Sequence, residues 1–166
     1  GYATRFGVLY PMQTFSKNRP VDFKSIPCFI EASDSKTLEC IQSLALSVSE
    51  KVYMLSSHDR KYLHISAVFA CNFVNHCYEI AAEILHQHDI PFEVLQPLID
   101  ETARKIHMLS PRDAQTGPAV RYDKNVIEAQ RKLLADSLLW QEIYETMSES
   151  IHRTAITNKP NHYDKL

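Results

Sequence analysis

Four polar side chains interrupt a long apolar segment of this chain, and their spacing could support chemistry. Residues 58–88 have the pattern of one long helix that carries His64, Asn72, Asn75 and His76. A helix that is apolar nearly all round is buried on most sides, and buried polar groups cost free energy unless they are hydrogen bonded. The segment therefore predicts a buried helix that lines a cleft or an interface.

These side chains allow more than one interpretation. Histidine titrates near neutral pH, so His64 could act as a general acid or base. The amides of Asn72 and Asn75 both donate and accept, which suits them to hold a substrate carbonyl or a nicotinamide amide. The alternative is structural, with His64 bonded to a backbone carbonyl and the asparagines bonded between helices.

A second candidate segment runs from Thr116 to Asp123, within a predicted loop over residues 110–122. Gly117 permits a backbone conformation that other residues resist. Arg121 offers a planar fork that matches a carboxylate or phosphate. We expect Thr116 and Arg121 to contact substrate; the alternative is a loop held by an Arg121–Asp123 ion pair.

Composition excludes several classes of partner. The chain is 45% hydrophobic and 23% charged, with a net charge of −2 and scattered Lys and Arg, so it has no basic patch for nucleic acid or anionic lipid. We see neither a signal peptide nor an apolar run of the roughly 20 residues that span a bilayer. The expectation is a cytoplasmic protein without nucleic-acid or membrane partners.

Metal and disulfide chemistry are also not expected. The four cysteines fit neither a zinc pattern nor a disulfide framework, so we expect reduced, buried thiols. His86 and His88 lie two apart on a helix and would face away from each other. No metal site is predicted.

The first third of the chain alternates short strands with one helix. A strand, a helix and a strand in close succession form a βαβ unit, whose strands run parallel. We expect a three-stranded parallel sheet, a partial α/β fragment that needs further strands beside it. Gln13 and Thr14 would follow the first strand at its carboxyl end, where open α/β sheets collect ligands. The predicted strands are residues 6–10, 27–32 and 51–55, with the helix over 38–48.

The periodicity then becomes helical, with four main helices predicted. The N-cap candidates are Ser33, Asp34 or Ser35 for the helix of the βαβ unit and, for later helices, Ser57 or Asp59, then Asp123, then Asp136 or Ser137. We expect an α/β part over residues 1–57, a helical part over 58–157 and a flexible tail over 158–166. Glycine occurs only at positions 1, 7 and 117. A Gly-rich phosphate loop is thus not present, and we do not expect this chain to bind NAD or NADP tightly.

Several spaced motifs together resemble a known family. The resemblance is to the carboxyl-terminal domain of unknown function that follows a Rossmann-like domain in oxidoreductases assigned as NAD(P)-dependent. The layout is also similar to that of deazaflavin-dependent NADP oxidoreductases and pyrroline-5-carboxylate reductases. The matching segments are Tyr10-Pro11-Met12-Gln13-Thr14-Phe15-Ser16, Tyr62-Leu63-His64-Ile65-Ser66-Ala67-Val68, Asn72-Phe73, Gln96-Pro97-Leu98 and Thr116-Gly117-Pro118 with Arg121 and Asp123.

The resemblance implies an α+β chain: the last strands of a Rossmann-like domain, then an all-α domain like the carboxyl-terminal domain of 6-phosphogluconate dehydrogenase. In such enzymes the long first helix packs at a homodimer interface and faces the nicotinamide of NADP or NAD. The roles implied are catalysis for His64 and Asn72, cofactor binding for Gln13 and Thr14, and substrate binding for Asn75, Thr116 and Arg121.

Two residues depart from the family pattern. Many members have histidine where this chain has Tyr10, which speaks against proton transfer at that strand end. Many have glycine where this chain has Tyr122, which predicts a stiffer segment after Arg121.

The resulting hypothesis is the substrate-side and dimerisation portion of an NAD(P)-dependent oxidoreductase acting on a small molecule, without its dinucleotide-binding half. The alternatives are a non-catalytic helical dimerisation or scaffold module, and a small-molecule sensor.

Overall fold

The structure is a computed structural model that describes residues 4–157. The fold is α+β, with a small mixed sheet followed by helices, as predicted. The strands are β1 (Gly7–Pro11), β2 (Cys28–Ala32) and β3 (Val52–Met54). The helices are α1 (Ser35–Val48), α2 (Ser57–Ala67), a π-helical segment (Val68–Phe73), α3 (Val74–His86), α4 (Gln96–Lys105), α5 (Pro111–Ala114), α6 (Pro118–Arg121), α7 (Lys124–Leu133) and α8 (Leu138–Ile156), with short 3-10 helices at Phe23–Ser25 and Phe92–Leu95.

The sheet has the order β1-β2-β3 and is mixed. β2 and β3 are parallel and joined by α1, so the predicted βαβ unit is confirmed. β1 is antiparallel to β2, with Pro11 opposite Cys28, so the prediction of three parallel strands was wrong. A parallel pair needs a crossover, usually a helix of three turns or so, and the connection over residues 12–27 contains only a three-residue 3-10 helix.

Because β1 is antiparallel to β2, its carboxyl end lies at the other edge of the sheet from the one predicted. Met12 N donates to Pro27 O at 2.8 Å, beside the start of β2. Gln13 and Thr14 therefore follow β1 at the edge opposite to the carboxyl ends of β2 and β3. The positional argument that placed them at the ligand-collecting edge of a parallel sheet was wrong.

The core lies between the sheet and α1. Its fully buried members are Cys28, Ile30 and Ala45, and partly buried apolar side chains pack around them: Leu9, Phe23, Leu38, Ile41 and Val52. As predicted from the Ser33–Ser35 segment, a side chain there caps α1: Asp34 accepts from Thr37 N at 3.0 Å.

A buried hydroxyl fixes the other end of α1. Ser49 is 2% exposed. Its Oγ donates to Ile26 O at 2.6 Å and accepts from Lys51 N at 3.0 Å. The hydroxyl thus joins the end of α1 to the segments that lead into β2 and β3, with its polar atom satisfied as burial requires.

The predicted long helix exists but is not buried. The backbone is helical from Ser57 to His86, with a π-helical segment that the sequence pattern did not predict. Phe69 is 63% and Phe73 49% exposed, so the prediction of a helix buried on most sides was wrong. The reason is that the core of this part forms between the sheet and α1, and α2 meets the strands mainly through polar side chains. Ser56 caps the helix, rather than the predicted Ser57 or Asp59.

The chain divides by internal packing into two compact units, Gly1–Asn75 and His76–Leu166. The first unit extends past residue 57, where the sequence suggested a boundary, because side chains of α2 are bonded to β1 and β2.

In the second unit, most predicted helix starts are confirmed. Asp123 caps α7 and Ser137 caps α8. The predicted loop over residues 110–122 was wrong in part, since α5 and α6 lie within it. Each is a single turn that begins with proline, which suits the first helical position because its missing N–H is not needed there.

Three further expectations concern the cysteines, membrane-spanning helices and the tail. The cysteines are free, as expected, but only Cys28 is buried; Cys40, Cys71 and Cys77 are exposed. Within residues 4–157, no helix is both long enough and apolar enough to cross a membrane. The tail over 158–166 lies outside the described residues.

Replacement of Gly7 by alanine should destabilise the first unit. The added Cβ would lie 2.7 Å from Glu31 O and would collide with Ile41 Cδ1, so β1 and β2 would have to separate. Overpacking of this kind costs about 1–3 kcal/mol, which urea unfolding of Gly7→Ala will measure. Adding Ile41→Val removes the methyl contact and should recover part of the loss. Unchanged stability of Gly7→Ala would contradict this close packing.

Candidate functional site

The first turn of α2 is tied to the end of β2 by a polar cluster. Arg60 Nη1 lies 3.1 Å from Glu31 Oε2, and Arg60 Nη2 donates to Ser57 Oγ at 2.9 Å. Ser57 Oγ itself donates to Glu31. The hydrogen bonds from Ser57, and then the Arg60 guanidinium, lower the pKa of the Glu31 carboxyl. The cluster holds the start of the helix against the sheet.

One turn farther along α2, a helix side chain meets a strand side chain. Tyr10 Oη and His64 Nδ1 are 3.2 Å apart, within hydrogen-bonding distance. Tyr10 is half-buried on β1, and the His64 side chain is exposed. His64 is therefore neither a core histidine nor bonded to a backbone carbonyl, which was the structural alternative. No local sequence pattern predicts this pairing, because the two residues are 54 positions apart.

The same helix borders an open surface cavity of about 360 Å³ in the first unit, whose lining residues are all exposed. It is lined by Thr14, Cys71, Asn72 and Asn75. Three residues predicted separately as cofactor-binding, catalytic and substrate-binding thus meet at one place. The sequence analysis missed Cys71, although it shares a helix face with Asn75 at i, i+4 spacing.

Cys71 and Asn72 belong to the π-helical segment Val68–Phe73. Such segments are rare overall, but those that occur are often found at functional sites. They widen the helix locally. His64 lies seven positions before Cys71, which is about 10 Å along an α-helix axis. The cavity and the Tyr10–His64 pair are therefore neighbouring features of one helix.

Gln13 has a local role in the structure. Its side-chain Oε1 accepts from Thr14 N at 2.8 Å, which orders the segment after β1. Gln13 does not line the cavity, whereas Thr14 does.

The remaining predicted residues belong to the second unit. Gly117 has φ +109°, so the expectation that this position favours glycine is confirmed. Thr116 O accepts from Gln115 Nε2 at 3.0 Å. Arg121 ends α6, and Asp123 is used as a helix cap. Among the described ion pairs there is none between Arg121 and Asp123, so the structural alternative for this loop is not observed.

Tyr122 adopts a left-handed conformation with φ 52°, which is unfavourable for residues other than glycine. Its ring stacks on His152 with centroids 4.1 Å apart, and Lys124 Nζ lies 5.1 Å from the ring centroid. These contacts offset the backbone strain. They give a physical basis for the stiffer segment expected at this position.

Comparison with known proteins identifies the family. The family model described as a domain of unknown function, DUF2520, matches residues 26–151. The chain belongs to the DUF2520 family. Among curated proteins, no sequence matches it significantly.

Two solved structures resemble this DUF2520 chain. One, from Bacteroides fragilis, is described as a putative NADP oxidoreductase; the sequences are 54% identical, the TM-score is 0.89, and the match covers 92% of this chain and 59% of that one. The other, a protein from Thermotoga maritima, has 21% identity, a TM-score of 0.72, and coverage of 90% of this chain and 61% of that one. The second shows the fold alone. The chain thus spans about 60% of each structure that it matches, and it is a domain associated with oxidoreductases.

The βαβ unit of this chain does not fit the pyrophosphate of a dinucleotide. That group binds to free N–H groups at a helix N-terminus. At the start of α1, however, the Asp34 carboxylate accepts from both Thr37 N and Thr37 Oγ1, at 3.0 and 2.7 Å. The hydrogen bonds from Thr37 lower the pKa of Asp34. A second anion at this position would be repelled.

The Glu31 cluster makes stability depend on pH in a defined direction. Because the folded-state pKa of Glu31 is lowered, its contribution is complete above the unfolded-state pKa of about 4.3 and is lost as pH falls through the lower folded value. We expect wild type to resist urea better than Glu31→Gln at neutral pH, with the difference shrinking as pH falls below the unfolded-state pKa of about 4.3.

Glu39→Gln is the matched control, because Glu39 is exposed on α1 and no described hydrogen bond or ion pair involves its carboxylate. A difference between wild type and Glu31→Gln that stays constant from neutral to acid pH would contradict this role of Glu31.

Proposed function

We propose that this chain forms the substrate-side part of an NADP-dependent oxidoreductase. The observation that carries the proposal is the cavity in which Thr14, Asn72 and Asn75 meet, beside the Tyr10–His64 pair. The 54% identity to a protein described as a putative NADP oxidoreductase supports the reaction class and favours NADP over NAD.

The chemistry of the cavity favours an uncharged polar substrate. Its four lining side chains are a hydroxyl, a thiol and two amides, without a carboxylate, an ammonium or a guanidinium. A volume of about 360 Å³ is at the small end of the range for ligand sites. A ketone or aldehyde suits such a site, with Asn72 and Asn75 binding its polar groups and its carbonyl oxygen extending along the helix to His64, which donates a hydrogen bond to that oxygen.

The dinucleotide would be held by another part of the whole protein, because the N-terminus of α1 is occupied by Asp34. Hydride chemistry belongs to the cofactor, and the protein supplies orientation and electrostatics. On this proposal Gln13 and Thr14 form the border toward the nicotinamide. Codons upstream of residue 1 that encode a strand, a Gly-rich turn and a helix would support this division of labour; a reading frame without them would end it.

Thr116 and Arg121 remain proposed substrate contacts. Within the second unit, the guanidinium of Arg121 offers a planar fork for a carboxylate or phosphate. Gly117 and Pro118 define the backbone at the start of α6, between these two side chains.

Homodimerisation is the second part of the proposal. Exposed apolar side chains at i, i+3, i+7 and i+11 form an apolar stripe on the long helix: Tyr62, Ile65, Phe69 and Phe73. On a wheel of about 100° per residue, Tyr62 and Ile65 lie about 160° and 100° from His64, and Phe69 and Phe73 continue the stripe into the π-helical segment. A contiguous exposed apolar face of this kind is typical of an interface, and we propose a second copy of the chain as its occupant. A scaffold without catalysis is the competing function that this stripe would favour.

Catalysis can be tested in the full-length protein by NADPH consumption with a panel of small ketones and aldehydes. His64→Gln should lower kcat/KM by about 100-fold, as expected for loss of a hydrogen-bond donor to the reacting oxygen. Asn72→Ala should lower it by about tenfold through loss of a hydrogen bond that orients the substrate. His58→Gln, on an exposed side chain of the same helix, should have no effect. Turnover that survives both substitutions, with reduced thermal stability, would instead favour the scaffold.

Sedimentation velocity tests the dimer. The 19.1 kDa chain should sediment as a dimer at micromolar concentration, and Phe69→Ser with Phe73→Ser should sediment as a monomer because the apolar stripe is lost. Leu133→Ser removes an apolar side chain that is 83% exposed on α7 and should leave the dimer intact. A monomeric wild type, or equal effects of the two sets of substitutions, would refute this interface.

A further inference from the structure

The Tyr10 hydroxyl has no role in the function proposed above, yet it contacts His64, the proposed catalytic histidine. Its oxygen lies 3.2 Å from His64 Nδ1. A neutral imidazole has a proton on one ring nitrogen and a lone pair on the other. The hydrogen bond made by one nitrogen determines which of the two carries the proton. The partner of Nδ1 therefore decides what Nε2 can do.

We propose that Tyr10 is a positioning residue that keeps neutral His64 in the tautomer with its proton on Nε2. The O–H of a phenol is a stronger acid than the N–H of a neutral imidazole, so the phenol donates and Nδ1 accepts. Nε2 then carries the N–H. Among the described residues Nε2 has no hydrogen-bond partner, and the side chain is exposed.

Both partners are carried by regular structure, which makes the pairing reproducible. Tyr10 sits within β1, in register with Phe29 on β2. His64 is on α2, one turn after Arg60, whose guanidinium is bonded to Glu31 at the end of β2. The strand and the helix are thus fixed to the same central strand, and functional groups on such elements are held more accurately than groups on loops.

An uncharged partner also sets the kind of help that His64 gives. A carboxylate at Nδ1 would favour the imidazolium, whereas a phenol adds no charge. On the proposed function, on which this step rests, neutral His64 therefore donates a hydrogen bond from Nε2 to the substrate oxygen and polarises the carbonyl. A neutral imidazole can serve as such an electrophile. No proton leaves Tyr10 in this arrangement, which agrees with the expectation against proton transfer at this strand end.

The tautomer can be read directly by ¹⁵N NMR of the histidine rings in this chain, above the pH at which His64 is neutral. Comparison with His64→Gln assigns the signal. We expect Nε2 to be protonated and Nδ1 to show the shift of a hydrogen-bonded acceptor. Tyr10→Phe should move the Nδ1 signal to that of a free imidazole. Tyr53→Phe, which removes an exposed phenol from β3 but keeps the ring that stacks on Phe29, should leave it unchanged.

A proton on Nδ1 in wild type, or an unchanged Nδ1 signal in Tyr10→Phe, would overturn the proposal. In the full-length protein, Tyr10→Phe should lower kcat by about tenfold with little change in KM, as loss of an orienting contact predicts. The NMR result does not depend on turnover. If the NMR shifts are as expected but there is no NADPH-dependent turnover, the positioning role is supported and the proposed oxidoreductase function is refuted. If turnover is unaffected by Tyr10→Phe, only the positioning role is refuted.

Discussion

The candidate site depends on how the first turn of α2 is held against the carboxyl end of β2. Glu31 receives hydrogen bonds from Ser57 and Arg60, and the helix leaves the sheet from that point. An isolated surface ion pair contributes at most about 1 kcal/mol, and the Arg60 and Glu31 side chains are 20% and 34% exposed. The cluster matters because of its geometry. The three mutually bonded side chains of Glu31, Ser57 and Arg60 set the direction of α2, and that direction brings His64 to Tyr10.

The sequence predicted most of the local structure in this chain because the signals were local. Side-chain caps such as Asp34 and Asp123 act on their own helix ends. The βαβ unit followed from an apolar strand, a periodic helix and a second strand in succession. The direction of β1 was not local information, because it depends on what the connection before β2 can span.

The site was predicted as a set of residues but not as an arrangement. Asn72 and Asn75 could be chosen from their chemistry on an apolar helix, and the structure brings them together with Thr14. The Tyr10–His64 contact joins a strand to a helix across an intervening βαβ unit, which no periodicity encodes. The π-helical segment escaped for another reason: side-chain patterns at α-helical spacing do not report an i→i+5 turn.

Hydrophobic patterning tells which face of a helix is covered, but not by what. The apolar residues of the long helix predict a buried helix that lines a cleft or an interface, and within this chain Phe69 and Phe73 are exposed. The two rings pack against each other edge to face, with centroids 4.9 Å apart, so part of each is shielded without a core. An apolar stripe away from His64 leaves the polar side of the same helix free for ligand. If the stripe is covered by a second copy, one helix serves both association and chemistry, and closing the dimer would fix the orientation of His64 and the cavity through the same rigid element.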